Sequence, residues 1–239
     1  MKKNLSLTLT PRLALAASMV RPGVRLADIG TDHAYLPVWL LLQGKIFSAV
    51  AADIREGPLQ SAAATVGKYG LAGKIKLMLS DGLQNISEEE CDDIVIAGMG
   101  GEMITSIMER TEWLKNGGKR LILQPMTMQE ILRCYLFSYG FSILEERAVC
   151  EGFRPYTVIL AQYTGQNTVP SPLNLYAGAL PSFMDTDAER YLKKEIIKLS
   201  NKLKRFDKEK KDEDFFFLSR AKNELEKLVF EFGQKEASK

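Results

Sequence analysis

The sequence predicts an α/β protein: a mainly parallel sheet flanked by helices, followed by a helical hairpin. Three observations carry this. Five short, β-rich apolar runs alternate with stretches able to form a helix. Two further β-rich runs then follow with no room for a helix between them. Beyond these, two sets of apolar residues recur at steps of three and four.

In chain order, Thr10 and Pro11 read as an N-cap and a first-turn proline, so PRLALAASMV is expected to be a short helix. VRLADI, FSAVAADI, KIKLMLS, DIVIAG and KRLILQ are the five runs. Strands buried on both faces lose the alternation of half-exposed ones, which explains their continuous apolar character. After a helix near Met128 to Tyr139, FSILEERAVCEGF and YTVILAQYT are expected to form an antiparallel hairpin at the sheet edge. From Gly165 to Phe183 prolines, glycines and polar residues occur without a period, so the domain boundary is placed after residue 164, with a linker and helical domain over 165–239. Leu192, Ile196, Leu199, Leu203 and Phe206 form one seam, and Leu218, Ala221, Leu225, Leu228 and Phe232 the other. The charged stretch Asp207 to Asp214 separates them and lets the helices fold back as a coiled-coil hairpin.

Composition narrows the function. The 239 residues are 46% hydrophobic and 26% charged, ordinary for a globular protein. No apolar run approaches the roughly 20 residues that cross a bilayer, and the N-terminal stretch lacks an apolar signal core, so a cytoplasmic protein without membrane contact is expected. Cys91, Cys134 and Cys150 share no short spacing and there is one histidine, so no metal site is expected and the thiols should be free and mostly buried. A net charge of +2 announces no nucleic-acid partner, although Glu189 to Lys211 holds ten Lys or Arg against four Asp or Glu. That basic helix reads equally as a solvated face or as a grip on RNA phosphates.

The chemistry is expected where the parallel strands end, because open α/β sheets bind ligands outside their carboxyl edge. The first strand ends LADIG and turns through Gly30, Thr31, Asp32 and His33. A pyrophosphate-binding turn is glycine-rich, and a second aspartate there would repel the phosphates, so Asp32 argues against a dinucleotide, while the nearby carboxylates favour a cationic ligand without phosphate, as S-adenosylmethionine is. The second strand ends in Asp53 and Ile54, with Asp53 placed 23 residues after Gly30, where an acid can accept both hydroxyls of a ribose. The third ends at Asp81 and Gly82: Asp81 could accept from an adenine amine, and Gly82 leaves space for the ring. A single strand-end Asp is commonly a helix cap, but three consecutive strand ends carrying one point to a ligand. The fourth strand ends Gly98-Met99-Gly100-Gly101, where adjacent glycines could let a flat base lie against bare backbone beside the methyl donor. His33, the lone histidine, is expected to position the cofactor.

LADIGTDHAYLP, DIREGPL, LSDGL, AGMGGEMI, ILQP and EERAVCEGFRPYTVI together resemble the bacterial tRNA adenine-N1 methyltransferases that modify adenine 22, and the order of strands resembles the seven-stranded class I (Rossmann-like) methyltransferase fold. The resemblance spans the first domain, and the family also carries a C-terminal coiled-coil hairpin. It implies methyl transfer from S-adenosylmethionine to N1 of an adenine in tRNA. On that reading Asp28, Gly30, Thr31, Asp32, His33, Asp53, Ile54, Asp81, Gly82, Gly98 and Met99 bind the cofactor. Gly98 to Gly101 receive the base, and Asp32 is a candidate to stabilise the cationic product. Arg12, Gln124, Pro125, Arg133, Arg154 and Tyr156 are candidates for RNA contact, and the protein is expected to be a monomer. Two rivals remain open at this point: the same fold methylating another substrate, and a non-catalytic RNA-binding module with a relic pocket.

Overall fold

The computed structural model describes residues 7–206 and 212–237. Residues 207–211, most of the charged stretch between the two seams, lie outside that description.

Helix α1 (Pro11–Met19) begins at Thr10 and Pro11 as expected, but the Thr10 side chain makes no capping bond. A carboxylate from far along the chain takes that role: Glu151 Oε1 accepts from the Arg12 backbone N–H at 3.2 Å, meeting one of the amides that a helix start leaves unpaired. The chain then runs β1 (Val24–Ile29), α2 (Tyr35–Leu42), β2 (Ile46–Asp53), α3 (Glu56–Lys68), β3 (Ile75–Leu79), β4 (Asp93–Met99), α4 (Gly101–Glu109), β5 (Arg120–Pro125), α5 (Gln129–Ser138), β6 (Phe141–Glu151) and β7 (Arg154–Tyr163). The sheet order is β3-β2-β1-β4-β5-β7-β6, with β1 to β5 parallel and β7 antiparallel to both neighbours. This is the seven-stranded mixed sheet the alternation predicted.

One expected helix is absent. Between β3 and β4 the chain makes only a 3-10 turn at Glu88–Glu90, closed by a Ser87–Glu90 capping box. Gly82, Asn85 and Ser87 favour turns over a continuous helix, and the strand pairs with β1, so the connection crosses back over the sheet.

Successive strand residues feed opposite cores. Leu26, Val95 and Ile122 pack under α1, α2 and α3, whereas Ala27, Ile29, Ile94, Ile96, Leu121 and Leu123 pack under α4 and α5. Each strand is apolar on both faces because both faces are covered.

Past β7 the structure corrects the reading of an irregular linker. Pro172–Ala177 forms helix α6, capped by reciprocal bonds between Ser171 and Asn174, and Leu180–Phe183 adds a 3-10 turn. Tyr176, Ala177 and Leu180 belong to a third core with α7 (Thr186–Leu203) and α8 (Glu213–Ala237). Leu192 and Leu199 of one seam and Ala221 and Leu225 of the other are fully buried there, and Phe206 meets Phe215 with ring centroids 5.7 Å apart. Ala148 of β6 joins the same core, so the helical unit is seated on the sheet domain.

That seat contains a buried ion pair. Arg133 of α5 is 1% exposed and donates from Nη2 to Glu146 Oε1 at 2.6 Å, to Tyr191 Oη at 3.3 Å and from Nη1 to the Leu175 carbonyl at 2.8 Å. Arg133 therefore holds α5, β6, α6 and α7 together and cannot reach RNA, contrary to its expected role. Of the thiols, Cys91 is buried and Cys134 exposed, and all three are free. Among the described residues no His, Cys, Asp or Glu group is placed to hold a metal, and no helix is long and apolar enough to cross a membrane.

Candidate functional site

Strand order reverses between β1 and β4, which opens a crevice above their carboxyl ends. Two cavities fill it and meet at Gly30. One, of about 370 Å³, is lined by Arg12, Asp28, Thr31, Asp32, His33, Tyr35 and Gly98. The other, of about 600 Å³, is lined by Asp53, Ile54, Asp81, Gly82, Met99 and Arg110. Sites for small molecules run from roughly 300 to 1,000 Å³, so the pair suits one elongated ligand lying across Gly30.

The turn after β1 explains the crossing. Gly30 takes φ +76°, open to glycine but strained for other residues, and the Met99 methyl lies over its bare Cα, where any Cβ would collide. Thr31 Oγ1 accepts from the Ala34 N–H at 3.1 Å, and Ala34 adopts φ +53° to start α2. This fixes the turn with its side chains at the mouth.

The three strand-end aspartates differ in electrostatic state. Asp28 is buried, and loss of water pushes its carboxyl up to about 6 against a partial offset from the Thr31 hydroxyl. No cation pairs with it among the described residues. Asp53 is also buried; its Oδ1 accepts from the Arg55 N–H at 2.8 Å, and no partner among the described residues takes Oδ2, so that oxygen is left to the cavity. Asp81 is half-exposed and gripped in bidentate fashion by Arg110, at 2.7 and 3.2 Å, and this pairing holds its carboxyl below the usual range.

Gly82, at φ +61°, lines the larger cavity and also serves the packing of α4. A Cβ there would lie 2.8 Å from Ile107, so the glycine lets α4 close on the sheet. Gly101 is buried against the Met128 carbonyl, which a Cβ would overlap, and Gly100 faces Thr127. Gly101 thus docks the β4–α4 turn on the segment before α5 and presents no bare backbone to a base, while Gly100 stays half-buried. Gly98 alone of the three is open, at φ +85°, with its N–H donating to Gln124 Oε1 at 3.1 Å.

Gln124 is fully buried: Oε1 also accepts from Arg12 Nη1 at 3.1 Å, while Nε2 donates to the Pro125 carbonyl at 3.2 Å. It organises the mouth from below and has no free edge for an adenine, and Pro125 is buried beside it. Arg12 stands at the rim, with Nε donating to Glu151 Oε2 at 3.3 Å. Tyr156 is buried beneath Lys194, and Arg154 is exposed at the β6–β7 turn. His33 stacks on Tyr35 with centroids 5.0 Å apart and has Nε2 3.5 Å from Asp32.

Three contributors escaped the sequence reading: Arg110, Glu151 and Tyr35. Tyr35 lay inside a quoted motif and needed only its aromatic character weighed. Arg110 and Glu151 act across 29 and 139 residues of chain, a separation that no local pattern reports.

A family model described as a methyltransferase domain matches residues 9–159. The chain is 37% identical to a tRNA (adenine(22)-N(1))-methyltransferase from Bacillus subtilis over 174 residues, 73% of each chain. The solved B. subtilis m1A22 tRNA methyltransferase TrmK superposes with a TM-score of 0.78 at 29% identity, over 95% of this chain and 99% of that one. M. capricolum TrmK, solved with S-adenosyl-homocysteine, gives 0.76 at 27% identity over 92% and 97%. A match that runs through the crevice and on across both C-terminal helices leaves one conclusion: the chain belongs to the tRNA (adenine(22)-N(1))-methyltransferase family.

Proposed function

We infer that this chain transfers a methyl group from S-adenosylmethionine to N1 of adenine 22 in tRNA. The observation that carries the reading is the pair of cavities meeting at Gly30, walled by a buried acid on each side, in a chain 37% identical to an enzyme of that activity. When bound, the cofactor supplies an electrophilic methyl on a cationic sulfur. The residues fit it: Asp28 is a buried carboxylate without a counter-cation, Asp53 Oδ2 is available to ribose hydroxyls, and no phosphate-binding glycine loop is present.

Adenine N1 already has an in-plane lone pair, so the chain needs no base to create the nucleophile. Its task is placement, which supplies most of the acceleration when the reacting atoms are held about 3 to 3.5 Å apart. Gly98, open at the rim, leaves room for the base above Gln124, and Arg12 borders the same space. The methylated ring becomes cationic. Asp32, an exposed carboxylate on the cavity wall, contributes attraction to that charge. His33 and Tyr35 stack as one aromatic unit beside it. N1 lies on the pairing edge, so the target nucleotide must leave its stack to enter.

The chain acts as a cytoplasmic monomer of two domains, 1–164 and 165–239. In support, the seams of α7 and α8 find their partners within one chain. The test is methyl transfer from labelled S-adenosylmethionine to an unmodified tRNA transcript and to one with adenine 22 replaced. Label in the first alone supports the reading; label in both, or in neither, overturns it.

A further inference from the structure

A second concavity, of about 400 Å³, lies between the β6–β7 turn and α7 and serves neither the cofactor nor the fold. The turn supplies Phe153 and the helix supplies Arg190, Lys193 and Ile197. Phe153 is fully exposed at the tip, a position where an aromatic ring gains nothing from the protein itself. Arg154 beside it has no carboxylate partner among the described residues. Among the described residues the carboxylate partners of Lys193 and Arg190 are Glu189 at 2.8 Å and Asp187 at 4.0 Å on their own helix, solvent-facing pairs that leave both cations able to meet another anion, and Arg190 also lies against the Cys150 thiol.

Lys194 does different work. Its Nζ donates to the Pro155 carbonyl at 3.3 Å and lies 5.9 Å from the Tyr156 ring centroid, which pins the turn to α7. Burial draws its pKa down, and the positive neighbours Lys198 and Arg154 add to that shift, as expected inside a basic patch. The turn carrying Phe153 is thus tied to α7 at Pro155.

The patch lies near the mouth of the crevice, joined to it by a chain of hydrogen bonds that passes through the buried Gln124. Gly98 bonds to Gln124, Gln124 to Arg12 and Arg12 to Glu151, and Phe153 follows Glu151 by two residues, a span of at most about 7 Å.

We propose that this groove docks the RNA strand flanking the target nucleotide: one base stacks on Phe153 while Arg154, Arg190 and Lys193 meet phosphates. A lone exposed ring among cations is the arrangement that holds single-stranded nucleic acid without reading its sequence. The proposal rests on the methyltransferase reading and adds where the substrate is held.

The test compares wild type, Phe153→Ala and the double variant Arg154→Ala/Lys193→Ala, all at exposed positions, on the unmodified tRNA transcript. For Phe153→Ala the tRNA KM rises roughly tenfold, as removal of one base stack requires. For the double variant the log–log dependence of binding on salt becomes shallower by about one unit for each phosphate that is no longer neutralised. The kcat at saturating tRNA and the calorimetric affinity for S-adenosylmethionine stay unchanged. An unchanged KM and salt slope, with wild type still methylating adenine 22, overturns the docking proposal alone. A dimer of wild type that Phe153→Ala dissolves, with KM unchanged, makes the patch a self-association surface and also overturns it. If wild type leaves the transcript unmethylated, the functional reading falls and the docking proposal with it.

Discussion

Two buried carboxylates, Glu146 and Asp28, sit in the same sheet and are treated in opposite ways. Glu146 is fully enclosed and satisfied: Arg133 binds both its oxygens and the Ala179 N–H donates to it at 3.1 Å. Even Gly178 is a glycine because a Cβ would strike that carboxylate. Asp28 has a threonine hydroxyl for company and a cavity in front of it. A buried charge with its partner inside the protein joins elements together. One without a partner is costly to the empty fold, and that cost is offset when a cation arrives.

Breaking the satisfied member has the largest effect. Glu146→Ala leaves the Arg133 guanidinium enclosed without its counter-charge and lowers stability by about 3 to 5 kcal/mol, read as a shift of the urea midpoint. Replacing both partners together, Arg133→Met with Glu146→Leu, recovers most of that stability because no lone charge remains.

The opposite sign is expected at the other site. The folded Asp28 carboxyl titrates near 6 against 3.8 in an unfolded chain, so the native state holds this proton more tightly. The stabilisation it gives is present below about pH 4 and is lost as pH rises through about 6. Asp28→Asn therefore stabilises the ligand-free protein at neutral pH, by at most about 3 kcal/mol, while weakening S-adenosylmethionine binding. A variant that is less stable and binds as before would erase the contrast between the two carboxylates.

A smaller effect is expected of Gly101→Ala. Its Cβ meets the Met128 carbonyl, and the backbone shift that relieves the overlap costs about 1 to 3 kcal/mol, measurable as a lower Tm. Smallest of all is Glu151→Gln. Its pair with Arg12 is about one-quarter exposed on each side and contributes less than about 1 kcal/mol to stability.

The same contrast explains what the sequence made legible. Asp28, Asp53 and Asp81 were visible because each ends an apolar run, and an acid at that point has a place in the fold before any contact is known. The central strands were visible because two covered faces leave continuous apolar runs. Arg133 was misplaced because its partner comes from β6 and its neighbours from α6 and α7, bonds made only when the tail docks. Gln124 looked like a base reader at a strand end, yet Arg12 and the Gly98 amide consume its carbonyl from elements far away in the chain. Gly101 suggests space for a base, whereas the Met128 carbonyl occupies that space, and Gly82 lines the larger cavity while also letting Ile107 pack close. Glycine in a sequence announces a close approach without naming what approaches.

The measurement that bears most directly on the account is calorimetric titration of S-adenosylmethionine into wild type and Asp28→Asn between about pH 5 and pH 7. Wild-type affinity should weaken as pH falls through about 6, when Asp28 takes up its proton, and the asparagine variant should bind more weakly with no such inflection. Identical affinities and identical pH profiles in the two proteins would contradict the assignment of Asp28 as the carboxylate that awaits a cationic cofactor.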